Sequence, residues 1–124
     1  MSNIASILHG SLIVEKLDEA LEFYCEVLGL QIDSSRPDLG YDGAWLTVGA
    51  QQIHLLALPN PDPVEGRPAH GGRDRHIAMG IGDLDQLQSR LDSRGIAYTL
   101  SKSGRRAMFC RDPDGNALEF IELP

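Results

Sequence analysis

The 124-residue chain has only two cysteines, Cys25 and Cys110, and they fall in no CxxC spacing. That disfavours a disulfide framework or a cysteine zinc site, and both read as small core or near-surface residues. Basic charge is also short, with 11 Lys and Arg against 18 Asp and Glu and a formal net charge of −7. The basic residues are scattered and form no stripe able to neutralise phosphates, so neither nucleic acid nor a membrane surface is expected as a partner. No apolar run approaches the roughly 20 residues of a membrane span. The start, MSNIASILHG, lacks a basic region followed by a sustained apolar one, and the expectation is a cytoplasmic protein. There is no low-complexity tract. At this length, 42% hydrophobic content fits one compact domain, or two half-domains sharing a core, but not two full domains.

What is present has a clear order. ILHGSLIV, residues 7–14, is apolar, β-branched and too short for a helix, so it reads as a strand carrying His9. LDEALEFYCEVLGL places Leu17, Ala20, Leu21, Tyr24, Val27 and Leu28 at helical spacing and ends at Gly29, the pattern of a capped amphipathic helix. AWLTV and QIHLLAL then form a hairpin around Gly49. Residues 60–74 carry the prolines and glycines of a connector. Beyond it come a strand, HIAMGI, and a helix opened by Asp83 with Gln86 as a capping box. Two more strands follow, 107–110 and 117–123, joined by the turn DPDGN. LQID and AYTL can each add a strand after the helices. The expected architecture is α+β, with module 1 at about 4–59 and module 2 at about 75–124.

The two halves superpose by position. His9 and His76 stand 67 residues apart, as do Leu17 and Leu84, while HLLALP lies on EFIELP with an offset of 65. Two copies of one unit completing a common sheet would give this self-similarity. It pairs His9 with His76 and His54 with Glu119, on the first and last strands of each half. The last strand also carries Glu122, and alternation does not separate the two glutamates, since each shares its face with apolar neighbours. Only the repeat singles out Glu119, leaving Glu122 as a strand-end residue that reaches solvent.

Under pseudo-twofold symmetry His9, His54, His76 and Glu119 would converge. Two imidazoles with a carboxylate can hold divalent iron, manganese, nickel, cobalt or zinc and leave positions open for substrate. His76 shares its face with Ala78 and Gly80, whose small side chains leave room for a ligand. An unpaired carboxylate among apolar groups, as at Glu119, would cost several kcal/mol or take up a proton unless a cation faces it. His70, in the connector, reads as an exposed loop residue. Arg105, Arg106 and Arg111 read as solvated charges, with contact to an anionic substrate as the other option.

LHGSLIVEKLDEALEFYCEVLGL, RHIAMGIGDLDQL and FCRDPDGNALEFIEL together resemble the vicinal oxygen chelate superfamily, which holds glyoxalases, bleomycin-resistance proteins and extradiol dioxygenases. The resemblance covers nearly the whole chain. It implies two tandem βαβββ modules forming a cupped sheet around a divalent metal, a small-molecule substrate, and often a homodimer. By position, His9, His76 and Glu119 match the family's metal triad, and His54 stands at the fourth ligand position. Two residues depart from the pattern. Lys16 occupies the helix-capping place of Asp83, so Asp18 and Glu19 must complement the first helix dipole. His54 stands where bacterial glyoxalase I-like enzymes carry Glu.

The chemistry implied is chelation of two adjacent substrate oxygens, with Glu119 and His54 as the catalytic candidates. A glyoxalase-like lyase or isomerase would use Glu119 as ligand and base together. A single-domain extradiol dioxygenase would place His9, His76 and Glu119 on Fe(II) with His54 as an acid/base group, although family dioxygenases usually have twice this length. A fosfomycin-type thiol transferase ranks below both. From a different class comes a bleomycin-resistance-like protein that binds a drug without turnover.

Overall fold

In the computed structural model, which describes residues 2–124, the first half builds β1 (His9–Val14), α1 (Leu17–Leu21), β2 (Gln31–Asp33), β3 (Gly43–Val48) and β4 (Gln51–Ala57). The second builds β5 (His76–Ile81), α2 (Leu84–Ser93), β6 (Tyr98–Leu100), β7 (Ala107–Arg111) and β8 (Ala117–Glu122). The strand orders are β1-β4-β3-β2 and β5-β8-β7-β6, so each half is the expected βαβββ module. In both sheets the first strand runs parallel to the last, and the other pairings are antiparallel. LQID and AYTL do supply the edge strands β2 and β6. Among the described residues no helix is long and apolar enough to cross a membrane.

The pairing explains the repeat's arithmetic. The loop after β6, residues 101–106, is three residues shorter than the loop after β2, residues 34–42. The turn before β8 then restores one residue, which changes the offset from 67 to 65. Trp45 and Phe109 become equivalent, because each pairs directly with the site-bearing residue of the next strand, His54 or Glu119.

The first helix is not one regular α-helix. After Leu21 the chain continues as a π-helical segment, Glu22–Val27, closed by a bond from Leu28 N–H to Phe23 O at 3.0 Å. Five-residue hydrogen-bond spacing widens the turn, and Phe23 and Tyr24 are both buried. Lys16 makes no side-chain cap, and Asp18 and Glu19 occupy the first turn. Asp83 does cap α2, accepting from Gln86 N–H at 3.0 Å. The helices pack on the sheet faces that carry Leu46, Ile53, Leu55, Met108 and Leu118, making one continuous core. The opposite faces carry the candidate site.

The turn DPDGN fastens the modules together. Asp112 is buried, and its Oδ1 accepts from Asp114 N–H and Asn116 N–H, each at 2.9 Å. Its Oδ2 accepts from Asn116 Nδ2 and, at 2.7 Å, from the Tyr24 hydroxyl of the other module. Asp114 Oδ1 accepts from Glu15 N–H, and Asn116 Nδ2 also donates to Ile13 O. These bonds fix β8 against the end of β1. Burial pushes the Asp112 carboxyl up, with its donors opposing that shift, and pushes the Cys110 thiol up to about 12.

Glu122 does not simply reach solvent. Its Oε2 accepts from Leu84 N–H at 2.9 Å, at the start of α2, and its Oε1 pairs with Arg106 at 3.2 Å. A helix N-terminus leaves N–H groups free and favours negative charge, which is the reason for this placement.

Two outcomes follow. Tyr24→Phe, which loses a bond to a buried carboxylate, should cost about 1.5–3 kcal/mol in urea unfolding at unchanged slope, and a loss below about 0.5 kcal/mol would contradict the clamp. The Glu122 carboxyl is held below its ordinary value by Arg106 first and Leu84 N–H second. Its contribution is therefore complete above the unfolded value of about 4.3 and lost as pH falls through the folded one. The urea midpoint of Glu122→Gln should lie below wild type at pH 7 and depend less steeply on pH between about 5 and 2.

Candidate metal centre

Parallel pairing sets the geometry. His9 lies opposite Gln52, and Ser11 opposite His54. In the second sheet His76 lies opposite Ala117, and Ala78 opposite Glu119. Residues paired or two apart on neighbouring strands share a face, so each sheet carries one diagonal pair at the same position. The structure thus brings His9 to His54 and His76 to Glu119. Among the described residues no three His, Cys, Asp or Glu side chains converge closely enough to hold an ion. The two pairs stay separate within one chain, although His9 and His76 both border a cavity of about 510 Å³ with Gly10, Gln52, Ala78 and Gly80.

The second pair places an imidazole nitrogen against a buried carboxylate. Glu119 is only 5% exposed, and its Oε1 lies 3.3 Å from His76 Nε2. His76 Nδ1 lies 2.8 Å from Asp74 O, and since a carbonyl only accepts, Nδ1 carries the proton. In neutral imidazole Nε2 then presents its lone pair toward the carboxylate. Two facing acceptors need a positive charge between them, either a proton or a metal ion, and a ligand imidazole tied to a carbonyl through its other nitrogen is a common outer arrangement at metal sites. Arg105 Nη2 stands 3.6 Å from Glu119 Oε2, so this arginine is not merely a solvated charge. The Phe109 ring meets His76 edge to face at 5.1 Å.

The carbonyl that orients His76 is itself held. Asp74 accepts from Arg67 at 2.8 and 3.1 Å and from Arg111 Nη1 at 2.7 Å, and these guanidiniums hold its carboxyl well below the usual range. Arg111 also donates to Gly115 O and Pro68 O, tying the connector to β7. Arg106 bridges Asp85 and Glu122. Of the three arginines read as solvated, Arg106 and Arg111 are structural, because ion pairing across loops is not visible in local composition. His70 is half-buried rather than the exposed loop residue expected, with its Nε2 2.9 Å from Leu100 O and its ring 5.0 Å from that of Phe109, and it caps the short turn Gly71–Arg73 through Gly72 N–H.

The first pair is an aromatic stack. His54 lies between His9, with centroids 3.9 Å apart and planes inclined 12°, and Trp45, at 4.6 Å and 9°. Its Nε2 is 2.8 Å from Gln52 Oε1, and Gln52 Nε2 donates to Asp33 Oδ2 at 2.7 Å. Burial first, then His9 and Arg36, push the His54 imidazole down in pKa, with Asp33 opposing, so it is neutral near pH 7. Sequence reasoning missed Asp33, Trp45, Gln52, Asp74 and Phe109. Extending the repeat to the third strand of each half would have found Trp45 and Phe109.

The chain's single tryptophan reports on this stack. In metal-free protein, His54→Ala should change Trp45 emission and increase its quenching by acrylamide, while His76→Ala should leave both near wild type. Equal responses would contradict the separation of the pairs.

Comparison with known proteins agrees with the architecture. The model of the Glyoxalase/Bleomycin resistance protein/Dioxygenase superfamily matches residues 6–120. Glyoxylase I 4 of Arabidopsis thaliana is 32% identical over 94% of this chain and 70% of its own length. The lactoylglutathione lyase of Haemophilus influenzae is 33% identical over 94% of this chain and 91% of its own. A glyoxalase family protein from Bacillus anthracis shares the fold with a TM-score of 0.82 at 24% identity, covering 100% of this chain and 99% of that one.

Proposed function

The chain belongs to the glyoxalase/bleomycin resistance protein/dioxygenase superfamily, and on that premise we propose that it is a metal-dependent enzyme whose divalent ion chelates two neighbouring oxygens of a small-molecule substrate. The observation that carries this reading is the His76–Glu119 pair, a buried carboxylate 3.3 Å from an imidazole nitrogen whose ring is oriented from behind by Asp74 O. His9, the equivalent of His76 on the other sheet, completes a two-histidine, one-carboxylate donor set suited to divalent iron, manganese, nickel, cobalt or zinc. His54 stands at the fourth position.

Since one chain keeps the two pairs apart, the reading assigns the complete site to two copies. A twofold axis would set the His9 face of one chain against the His76 and Glu119 face of the other, and would do so twice. Ile4, Ile7 and Leu8, beside β1, are 82%, 78% and 71% exposed, apolar surface that such an assembly would cover.

When bound, the ion would supply Lewis-acid stabilisation of negative charge on two adjacent oxygens. Glu119 would move a proton between the carbons bearing them, its burial limiting competition from water. Arg105, at the rim, would attract an anionic substrate group. Among family reactions, the roughly one-third identity to a lactoylglutathione lyase supports the glyoxalase-like isomerisation best.

Protein purified without chelators should bind nickel, cobalt or zinc, with His76→Ala and Glu119→Ala weakened by at least about tenfold, and the loaded protein should isomerise a hemithioacetal. Equal, negligible metal in wild type and both variants would contradict the reading. Iron selection with oxygen uptake on adding a catechol would move the protein to the dioxygenase branch. Drug binding without turnover would move it to the bleomycin-resistance branch.

A further inference from the structure

The surroundings of His54 resolve its role. Asp33, Trp45, His54 and Ser11 lie in one cross-strand row, because Asp33 pairs with Trp45, Trp45 with His54 and His54 with Ser11. Gln52 and His9 lie in the next row, opposite each other. Asp33 is a carboxylate and only accepts, so Gln52 must present its NH₂ group to it. The Gln52 oxygen is then left for His54, whose Nε2 must donate. The relay therefore fixes His54 as the Nε2–H form with its lone pair on Nδ1, while Trp45 and His9 on its two faces prevent the ring from tilting.

This arrangement is incompatible with His9 and His54 holding one ion together. A ligated metal lies about 2.0–2.1 Å from a ring nitrogen, along that nitrogen's in-plane lone pair. Stacked rings with centroids 3.9 Å apart and planes inclined 12° have planes that do not meet near either ring, so no single ion lies in both. His9 differs from His54 in having no ring hydrogen bond among the described residues, and its plane is set by the stack beneath it. The second module has no counterpart. Ala117 stands where Gln52 would be, and Glu119 faces the His76 edge without stacking on it.

We infer that His54 is a positioning residue, held as the Nε2–H form by Asp33 through Gln52 and clamped by Trp45, and that it sets the ring plane of His9. Its effect on metal binding rests on His9 being a ligand, as proposed above; the relay and the stack do not.

Two measurements test this. In metal-free protein labelled with ¹⁵N-histidine, the resonance that disappears in His54→Phe should show a protonated Nε2 and a bare Nδ1, and Gln52→Leu should shift it toward a tautomer mixture. A protonated Nδ1 in wild type, or no response to Gln52→Leu, overturns the relay. In zinc titration, His54→Phe keeps a flat ring without a donor nitrogen and should stay within about threefold of wild type, whereas His54→Ala should weaken binding about tenfold. Loss of the same size in both variants makes His54 a ligand and overturns the inference. If wild type binds no zinc, the metal reading falls and the tautomer measurement alone decides this one.

Discussion

A carboxylate that is almost wholly buried must face positive charge, and much of this molecule's design centres on meeting that demand at Glu119. Its burial follows from β8 lying between β5 and β7, with Phe109 beside it and His76 above. The nearby protein groups are an imidazole at 3.3 Å and a half-exposed guanidinium at 3.6 Å, both on or beside the open face. An isolated ionised carboxylate in such a place would cost several kcal/mol. On the proposed reading a cation completes the site, and the elements around it hold the pair in place: the arginine-bound Asp74 orients His76, and the DPDGN turn fixes β8 against β1.

The duplicated module gives two diagonals of one geometry, and the protein uses them differently. In the second, the backbone orients the histidine and a carboxylate faces it. In the first, the partner of His9 is a histidine held by an amide and a carboxylate and covered by tryptophan. On the readings proposed above, one diagonal attracts charge and the other holds a ring plane. Among the described residues the two diagonals form no common cluster within one chain, and the proposed function therefore assigns the complete centre to two copies.

Much of this was legible in the sequence because local rules and the repeat pointed the same way. Strand and helix periodicities, the Asp83 cap, the connector and the pairing of His54 with Glu119 all follow from spacing, and the sheet register supplies the physical reason for the 65-residue offset. Other features were hidden because long-range partners decide them. Alternation could not choose between Glu119 and Glu122; the structure buries the first and turns the second to the start of α2. Tyr24, in the π-helical turn, bonds Asp112, 88 positions away. Arg111 reads as surface charge until Asp74 is beside it.

The most direct test of a centre shared between two chains is to mix subunits. His9→Ala lacks the first diagonal and His76→Ala the second, so each variant alone should be deficient in metal. In a hybrid pair, the intact second diagonal of one chain would meet the intact first diagonal of the other. Unfolding and refolding the two variants together should restore one metal ion per hybrid dimer, half that of a wild-type dimer and, with about half the dimers hybrid after random pairing, about a quarter of the wild-type loading for the mixture, whereas a site formed within single chains would leave the mixture as empty as its components.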